Sequence, residues 1–168
     1  MNQHSSRYRP LTLEELKAVE TGFVQFLAAN SVTAPEWETL KTRAPEKANG
    51  LIAIFSDLYW DKVLARITHM MERLPKVFRV FWMDGRELHL IEVRIPEEAP
   101  FRFDSEDDME GWMTGKKDVK TMGGQFFRGT RDTGDRRDRE LFELLERGAV
   151  PCRAELYDAF NAALSQSS

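Results

Sequence analysis

The sequence predicts an α+β protein with three amino-terminal helices, a central antiparallel β-hairpin or small sheet, a long charged loop and a carboxy-terminal helical hairpin. Two observations carry this prediction. Apolar residues recur at helical spacing towards both ends of the chain, and they alternate with polar residues between 76 and 95. A chain of 168 residues can bury a core in one domain without disulfides. We therefore expect a single domain over residues 11–164, with flexible tails at 1–10 and 165–168.

Capping signals mark the three amino-terminal helices. A Thr-x-x-Glu capping box at residues 12–15 opens the first helix, and a second box at 33–36 opens the next. Pro45 suits the first turn of the third helix, and the apolar pattern carries that helix to about Leu74. The third helix is apolar on more than one side. This indicates that it packs on two sides or presents an interface on one of them.

Two adjacent aromatic residues on the third helix are candidate interface residues. Tyr59 continues the main apolar face, whereas Trp60 lies roughly opposite Phe55 and Val63 on the helical wheel. An exposed tryptophan at this position would mark a protein-binding surface. A buried one would belong to a second packing face of the helix, and the sequence leaves both alternatives open.

The alternating segment contains a strong hairpin signal at Asp84-Gly85. A tight turn at these residues would place Trp82 opposite Glu87. An isolated hairpin is marginally stable in water, so a further strand is expected. Residues 101–103, with the sequence Phe-Arg-Phe, are the candidate for that strand.

Two oppositely charged blocks follow the hairpin. Residues 97–110 carry seven acids against one base, and residues 115–139 carry eight bases against four acids. Because no hydrophobic period is sustained there, we expect a long irregular loop at 104–135 that closes on itself electrostatically. Phe126 and Phe127 complete the set of interface candidates: they anchor the loop in the core or meet another chain.

The basic block also supports an alternative hypothesis of RNA or DNA association, through residues 115–139. Cationic side chains would hold phosphates while the phenylalanine rings stack on bases. The net charge of −4 and the four aspartates within the block argue against this alternative. The residues that would make these contacts are Lys116, Lys117, Lys120, Arg128, Arg131, Arg136 and Arg137.

Catalytic and metal-binding patterns are weak, and we expect no catalytic residues, no metal and no cofactor. The histidines show no His-x-x-x-His spacing and the chain has no Cys-x-x-Cys motif. A small enzyme with a site near the hairpin is the second alternative, built on His89, Glu87 or Cys152. Strand alternation places His89 and Glu87 on one face and Arg79 and Glu92 on the other. Cross-strand charge matching therefore explains these residues without catalysis.

Several features indicate a cytoplasmic protein without a membrane partner. The single cysteine excludes an internal disulfide framework and fits a reducing compartment. No apolar run approaches the ~20 residues that span a bilayer. The first residues have no apolar signal core behind them.

Both ends of the chain carry a family resemblance. Its amino-terminal residues are Leu11-Thr12, Phe23, Phe26-Leu27-Ala28, Glu36-Trp37, Pro45, Phe55-Ser56-Asp57 and Val63-Leu64. Its carboxy-terminal residues are Arg139-Glu140, Phe142, Leu145-Glu146, Gly148 and Leu156-Tyr157. Together they resemble an uncharacterised family of small cytoplasmic bacterial proteins of the Bacteroidetes type. The resemblance leaves residues 76–135 outside the match, and it implies helices with a short sheet but no activity.

The sequence thus favours a protein of unknown function that works as a non-enzymatic protein–protein interaction or regulatory module. The expected partner is another protein or a second copy of the chain. Nucleic acid is the less favoured partner.

Overall fold

The computed structural model describes residues 6–165 of the chain. These residues fall into two compact units that divide between Ala65 and Arg66. The first unit is helical, and the second contains an antiparallel sheet with helices, so the predicted α+β class is confirmed. A single domain was predicted for residues 11–164, and each unit is described separately below. Residues 1–5 and 166–168 of the predicted tails lie outside the described residues.

The helical unit contains four helices where three were predicted. They are α1 (Leu13–Ala18), α2 (Glu20–Ala29), α3 (Ala34–Arg43) and α4 (Pro45–Arg66). Both predicted capping boxes are present, with Thr12 and Thr33 as the N-caps. The predicted first helix is interrupted at Val19, whose φ of −117° and ψ of 25° depart from helical geometry.

The amino-terminal segment is packed rather than free from Ser6 onward. Tyr8 and Leu11 are buried. Asp57 of α4 accepts hydrogen bonds from this segment, and the Ser56 hydroxyl accepts one from the Leu11 amide. The prediction of a flexible tail is therefore wrong for residues 6–10, because buried polar groups on α4 hold their backbone.

The second unit is built on a five-stranded antiparallel sheet in the order β4-β3-β2-β1-β5. The strands are β1 (His69–Arg73), β2 (Val77–Asp84), β3 (Glu87–Arg94), β4 (Gln125–Asp132) and β5 (Val150–Pro151). The helices are α5 (Glu106–Met113), α6 (Arg137–Glu146) and α7 (Ala154–Ser165).

The predicted hairpin is confirmed as β2 and β3, with a different register. Asp84 pairs with Glu87, so Gly85 and Arg86 form the turn, and Gly85 has the positive φ of 58° that favours glycine. Trp82 consequently pairs with His89 rather than with Glu87. A shift of two residues preserves the side-chain alternation, so the predicted faces of both strands are unchanged.

The predicted extension of the third helix to Leu74 is wrong. Helix α4 ends at Arg66, and residues 69–73 form strand β1. Met70 pairs with Phe81 of β2 and is completely buried there. The apolar run suits a helix and a buried strand equally well, and pairing with β2 and β5 decides between them.

Residues 101–103 are not the third strand of the sheet. β4 lies beside β3, and β1 lies on the other side of β2. Phe101 and Phe103 are buried without strand pairing. Side chains of neighbouring residues satisfy their carbonyl groups: Lys76 Nζ donates to the Phe101 oxygen at 2.9 Å and Arg73 Nε to the Phe103 oxygen at 2.7 Å.

The irregular loop predicted for 104–135 contains two regular elements, α5 and β4. Ser105 caps α5 by accepting a hydrogen bond from the Asp108 amide. Strand β4 is an edge strand whose side chains are almost all exposed, so it shows no apolar alternation in the sequence. The predicted electrostatic closure is present where Lys117 pairs with Asp108.

The two carboxy-terminal helices do not form the predicted helical hairpin. Tyr157 and Phe160 of α7 pack with Phe78 and Val80 on one face of the sheet. α6 lies on the other face, where its Leu144 and Arg147, the residue that follows the helix, approach the alternate β2 residue Phe81. Strand β5 lies between the two helices in the chain and pairs with β1. The helices therefore pack on opposite faces of the sheet and not against each other. We call the two sides the α7 face and the α6 face.

Candidate functional site

The α7 face is a dry aromatic core. Phe78 and Phe103 are completely buried, and their ring centroids are 5.8 Å apart. Phe160 of α7 lies 5.2 Å from Phe78, and Trp112 of α5 lies 5.0 Å from Phe160. This face is filled by side chains of the unit itself, so it holds the fold together.

The α6 face carries buried charges. Glu72 and Glu92 are 4% and 5% exposed, and Arg79 lies between them. Arg79 Nη1 is 2.7 Å from Glu72 Oε2, and Arg79 Nε is 2.5 Å from Glu92 Oε2. Burial alone would raise the pKa of Glu92, but hydrogen bonds from Arg79 and Arg94 outweigh it and hold that pKa below its usual range.

Each buried glutamate also has a second, more exposed arginine. Arg147, which caps the end of α6, donates to Glu72, with Nε 3.0 Å from Oε1, and Arg94 of β3 contacts Glu92. The side chains of these outer arginines are more than half exposed. The network is therefore exposed at its margin and buried at its centre.

A cavity of about 460 Å³ opens on the same face. Its apolar floor consists of Phe81, Leu88, Leu90 and Leu144. The other residues that line it are Arg79, Glu92, Gly129, Thr130, Arg131 and Arg147. Arg131 also contacts Glu140, which is 9% exposed. An apolar floor with a few convergent polar groups is the usual composition of a small-molecule site.

The helical unit contains a buried carboxylate with different partners. Asp57 is 2% exposed. Its Oδ2 accepts a hydrogen bond from the Arg7 amide at 3.0 Å, and its Oδ1 accepts from the Tyr8 amide at 3.2 Å and from the Ser6 hydroxyl at 3.0 Å. Asp57 therefore fixes the segment before α1 onto α4.

The helical unit also has an apolar groove of about 620 Å³. We call it the α2–α4 groove, and its lining residues are Ala18, Val19, Thr21, Gly22, Gln25, Phe26, Phe55, Leu58, Tyr59 and Lys62. Leu58 is 47% exposed. A large aliphatic side chain so exposed beside aromatic residues is typical of an interaction surface.

The four predicted interface residues are placed differently from one another. Tyr59 lines the α2–α4 groove. Trp60 is 8% exposed, its Nε1 donates to the Arg9 oxygen at 3.2 Å, and the Arg9 guanidinium lies over its ring. Trp60 is therefore a buried packing residue and not an exposed one. Phe126 packs partly against the α7-face core, and Phe127 is 45% exposed beneath Arg94.

The seven predicted nucleic-acid contacts do not form a uniform basic surface. Arg131 and Arg136 approach Glu140, and Lys117 pairs with Asp108. The remaining partners are Asp138 and the Ile67 oxygen for Arg137, the Phe126 ring for Lys120 and the Asn161 oxygen for Arg128. Lys116 is exposed. A bound phosphate would compete with most of these contacts.

The candidate enzyme residues near the hairpin include one close pair, His89 and Glu87, in which His89 also has partners on neighbouring strands. His89 stacks on Trp82 at 4.8 Å, its Nδ1 is 3.0 Å from the Thr130 hydroxyl, and its Nε2 is 3.5 Å from Glu87 Oε2. Cys152 is half-buried, and burial raises the pKa of its thiol to about 11. At neutral pH this thiol is protonated, which is the opposite of what a nucleophile requires.

A family model matches residues 6–165, almost the whole chain, and its description is a family of unknown function, DUF6495. The chain belongs to this family. Comparisons with curated proteins and with solved structures found no match. The family assignment confirms the resemblance to an uncharacterised family and extends it across residues 76–135, which the resemblance had left out.

The described residues 6–165 contain neither a cluster of metal ligands nor a membrane-spanning helix. No group of three or more histidine, cysteine, aspartate or glutamate side chains is placed to hold a metal ion. No helix in this range combines the length and the apolarity needed to cross a membrane.

Sequence reasoning found part of the α6-face network and missed the rest. Arg79 and Glu92 were predicted to share a face, and they pair directly across β2 and β3. Glu72 was missed because it was assigned to a helix, and Arg147 because α6 was expected to pack on α7. Residues 70–73, Met-Met-Glu-Arg, show no apolar–polar alternation, so periodicity does not distinguish this strand from a helix.

Proposed function

We propose that the protein is a non-enzymatic interaction module that associates with a second copy of itself through the α2–α4 groove. The observation that carries the proposal is Leu58, which is 47% exposed beside Tyr59 and Phe26 in an open apolar groove. Exposed apolar patches of this kind mark association surfaces in soluble proteins.

A second copy is favoured as the partner because the same unit supplies apolar side chains that need cover. Leu13 is 77% exposed and Val24 is 56% exposed, on helices α1 and α2. In a two-fold symmetric dimer, the same patch is used by both copies, so one interface covers the exposed side chains of both patches. A regulatory role would follow from control of this association.

Sedimentation velocity over a series of concentrations tests the proposal. We expect the natural chain to sediment as a dimer that dissociates on dilution. Leu58→Glu places a charge in the groove and should yield a monomer, because an unpaired charge in an interface is costly. Met113→Glu is the matched control, since Met113 is 56% exposed in the other unit.

The control variant should retain the dimer. A natural chain that remains monomeric up to about 100 μM would overturn the proposal, because weaker association has little functional meaning. Equal sedimentation of Leu58→Glu and the natural chain would also overturn it. Circular dichroism of each variant establishes that the helices remain folded.

The origin and location of the protein belong to the same proposal. We propose a cytoplasmic protein from bacteria of the Bacteroidetes type. The single cysteine supports the location, and the resemblance of both chain ends supports the origin. Mass spectrometry of proteins co-purified from native cells would test whether partners other than a second copy are bound.

A further inference from the structure

The cavity on the α6 face lies in the sheet unit and has no part in the proposed self-association. Its volume of about 460 Å³ falls within the range of small-molecule sites. Phe81, Leu88 and Leu144 are each 5% exposed, so the floor is formed by side chains that the fold already holds in place. The cavity is therefore a built feature of the unit.

A glycine in β4 keeps part of this cavity open. Gly129 pairs with Leu90, so its missing side chain would project on the α6 face. A methyl group at this position would meet no atom within 4 Å beyond its chain neighbours. Glycine weakens a strand interior and often marks a place where a ligand approaches the backbone. Gly129 therefore leaves open space beside the apolar side chains of the cavity floor.

The charges around the cavity favour an anion. The charged residues that line the cavity are three arginines (Arg79, Arg131 and Arg147) and one glutamate (Glu92), an excess of two positive charges, and Glu140 and Glu72 are the partners of Arg131 and Arg147. The glutamates are buried beneath their arginines, whereas the side chains of Arg131 and Arg147 are 61% and 53% exposed. The accessible charge at the cavity is therefore cationic.

Arg131 and Arg147 have more N–H donors than their pairs with glutamate use. A guanidinium group carries five N–H donors. Among the described residues, Arg131 donates to Glu140 from Nη2, and Arg147 donates to Glu72 from Nε and Nη2. A carboxylate bound in the cavity that both residues line can accept hydrogen bonds from their other N–H groups without breaking these pairs, and such charge-assisted bonds are the strong ones.

We propose that this cavity binds a small amphipathic anion, a carboxylate with an apolar tail. The tail lies on the floor of Phe81, Leu88 and Leu144 and occupies the space left by Gly129. The carboxylate accepts hydrogen bonds from Arg131 and Arg147.

Titration with octanoate, followed by amide chemical shifts in NMR, tests this proposal. We expect saturable shifts at Leu88, Leu90, Gly129 and neighbouring amides of β4 and α6. Acetate carries only the carboxylate and octylamine carries the opposite charge, so both should bind at least about tenfold more weakly. No saturable shift with octanoate at up to about 10 mM would overturn the proposal. Equal binding of octanoate and octylamine would overturn the choice of an anion.

Two variants locate the binding. Gly129→Val fills the cavity with a residue that favours strands, so it should preserve the melting temperature while reducing octanoate affinity at least about tenfold. Arg131→Gln with Arg147→Gln removes the cationic donors and should cause a similar loss. Arg128→Gln is the matched control, because Arg128 lies next to Gly129 on the other face of β4. Unchanged affinity in Gly129→Val, or equal loss in the control, would overturn the assigned position.

Discussion

Asp57 in the helical unit and Glu92 in the sheet unit are both nearly completely buried carboxylates, but their partners differ in kind. Asp57 accepts hydrogen bonds from backbone amides at fixed positions. Glu92 is held by the guanidinium groups of Arg79 and Arg94, of which the second is largely exposed. Backbone partners cannot leave without unfolding, whereas arginine side chains can rearrange around a ligand. Asp57 is therefore a structural carboxylate, whereas Glu92 lines the cavity on the α6 face.

Removal of Asp57 should have the largest effect. Asp57→Ala leaves the buried amides of the amino-terminal segment without their charged acceptor, and we expect about 3 kcal/mol less free energy of unfolding for the helical unit. Urea denaturation followed by circular dichroism measures this loss. Amide hydrogen exchange at Arg7 and Tyr8 should accelerate at the same time.

Asp61→Ala is the matched control for this variant. Asp61 contacts the exposed Arg7 side chain and is itself 34% exposed, so its removal should cost less than about 1 kcal/mol. Equal losses from the two variants would show that Asp57 does not anchor the segment.

Removal of Arg79 should have a smaller effect. Arg79→Ala withdraws the shared partner of Glu72 and Glu92, but each glutamate keeps its outer arginine. We expect a loss of about 2 kcal/mol in the free energy of unfolding, mostly from carboxylates left with one partner. Chemical denaturation at neutral pH measures it. A loss as large as that of Asp57→Ala would show that the Arg79–glutamate network matters as much for the fold as the hydrogen bonds of Asp57.

The outer arginines should matter least for stability. Arg147→Gln and Arg94→Gln remove partners whose side chains are 53% and 57% exposed, and each should cost less than about 1 kcal/mol. Thermal unfolding in low and high salt measures these losses, which salt should reduce further. A loss above that of Arg79→Ala would mean that the outer arginines belong to the buried core of the network.

The helical unit was the more predictable of the two, because its signals are local. Capping boxes at 12–15 and 33–36 and a proline at 45 act within one turn of each helix start, and all three positions are confirmed. The anchor at Asp57 was not predicted, since it joins residues 49–51 positions apart.

The sheet unit was predictable only where the sequence alternates. Strands β2 and β3 flank a strong turn signal and carry an alternating pattern, so the hairpin was found. β4 is an exposed edge strand and β1 reads as a continuation of a helix, so neither has a sequence pattern of its own. The candidate site depends on both, since Glu72 comes from β1, and Gly129 and Arg131 come from β4. For that reason only the shared face of Arg79 and Glu92 was predicted.

The titration of Glu92 gives a further difference between the two buried carboxylates. Hydrogen bonds from Arg79 and Arg94 lower the pKa of Glu92 below its usual value of 4.5, against the opposing effect of burial. A carboxyl group with a lowered pKa in the folded state stabilises that state above the unfolded pKa, and the contribution is lost as the pH falls through the folded pKa. Carbon-detected NMR of the Glu92 carboxyl should therefore show titration below pH 4.5. In Arg79→Ala the titration should move to higher pH, because burial then has one arginine fewer to oppose it. In Asp57→Ala it should stay where it is, since Asp57 belongs to the other unit. If the titration does not move in Arg79→Ala, Arg94 alone keeps the Glu92 carboxylate charged. The exposed arginine, rather than the buried one, would then be the main partner of Glu92.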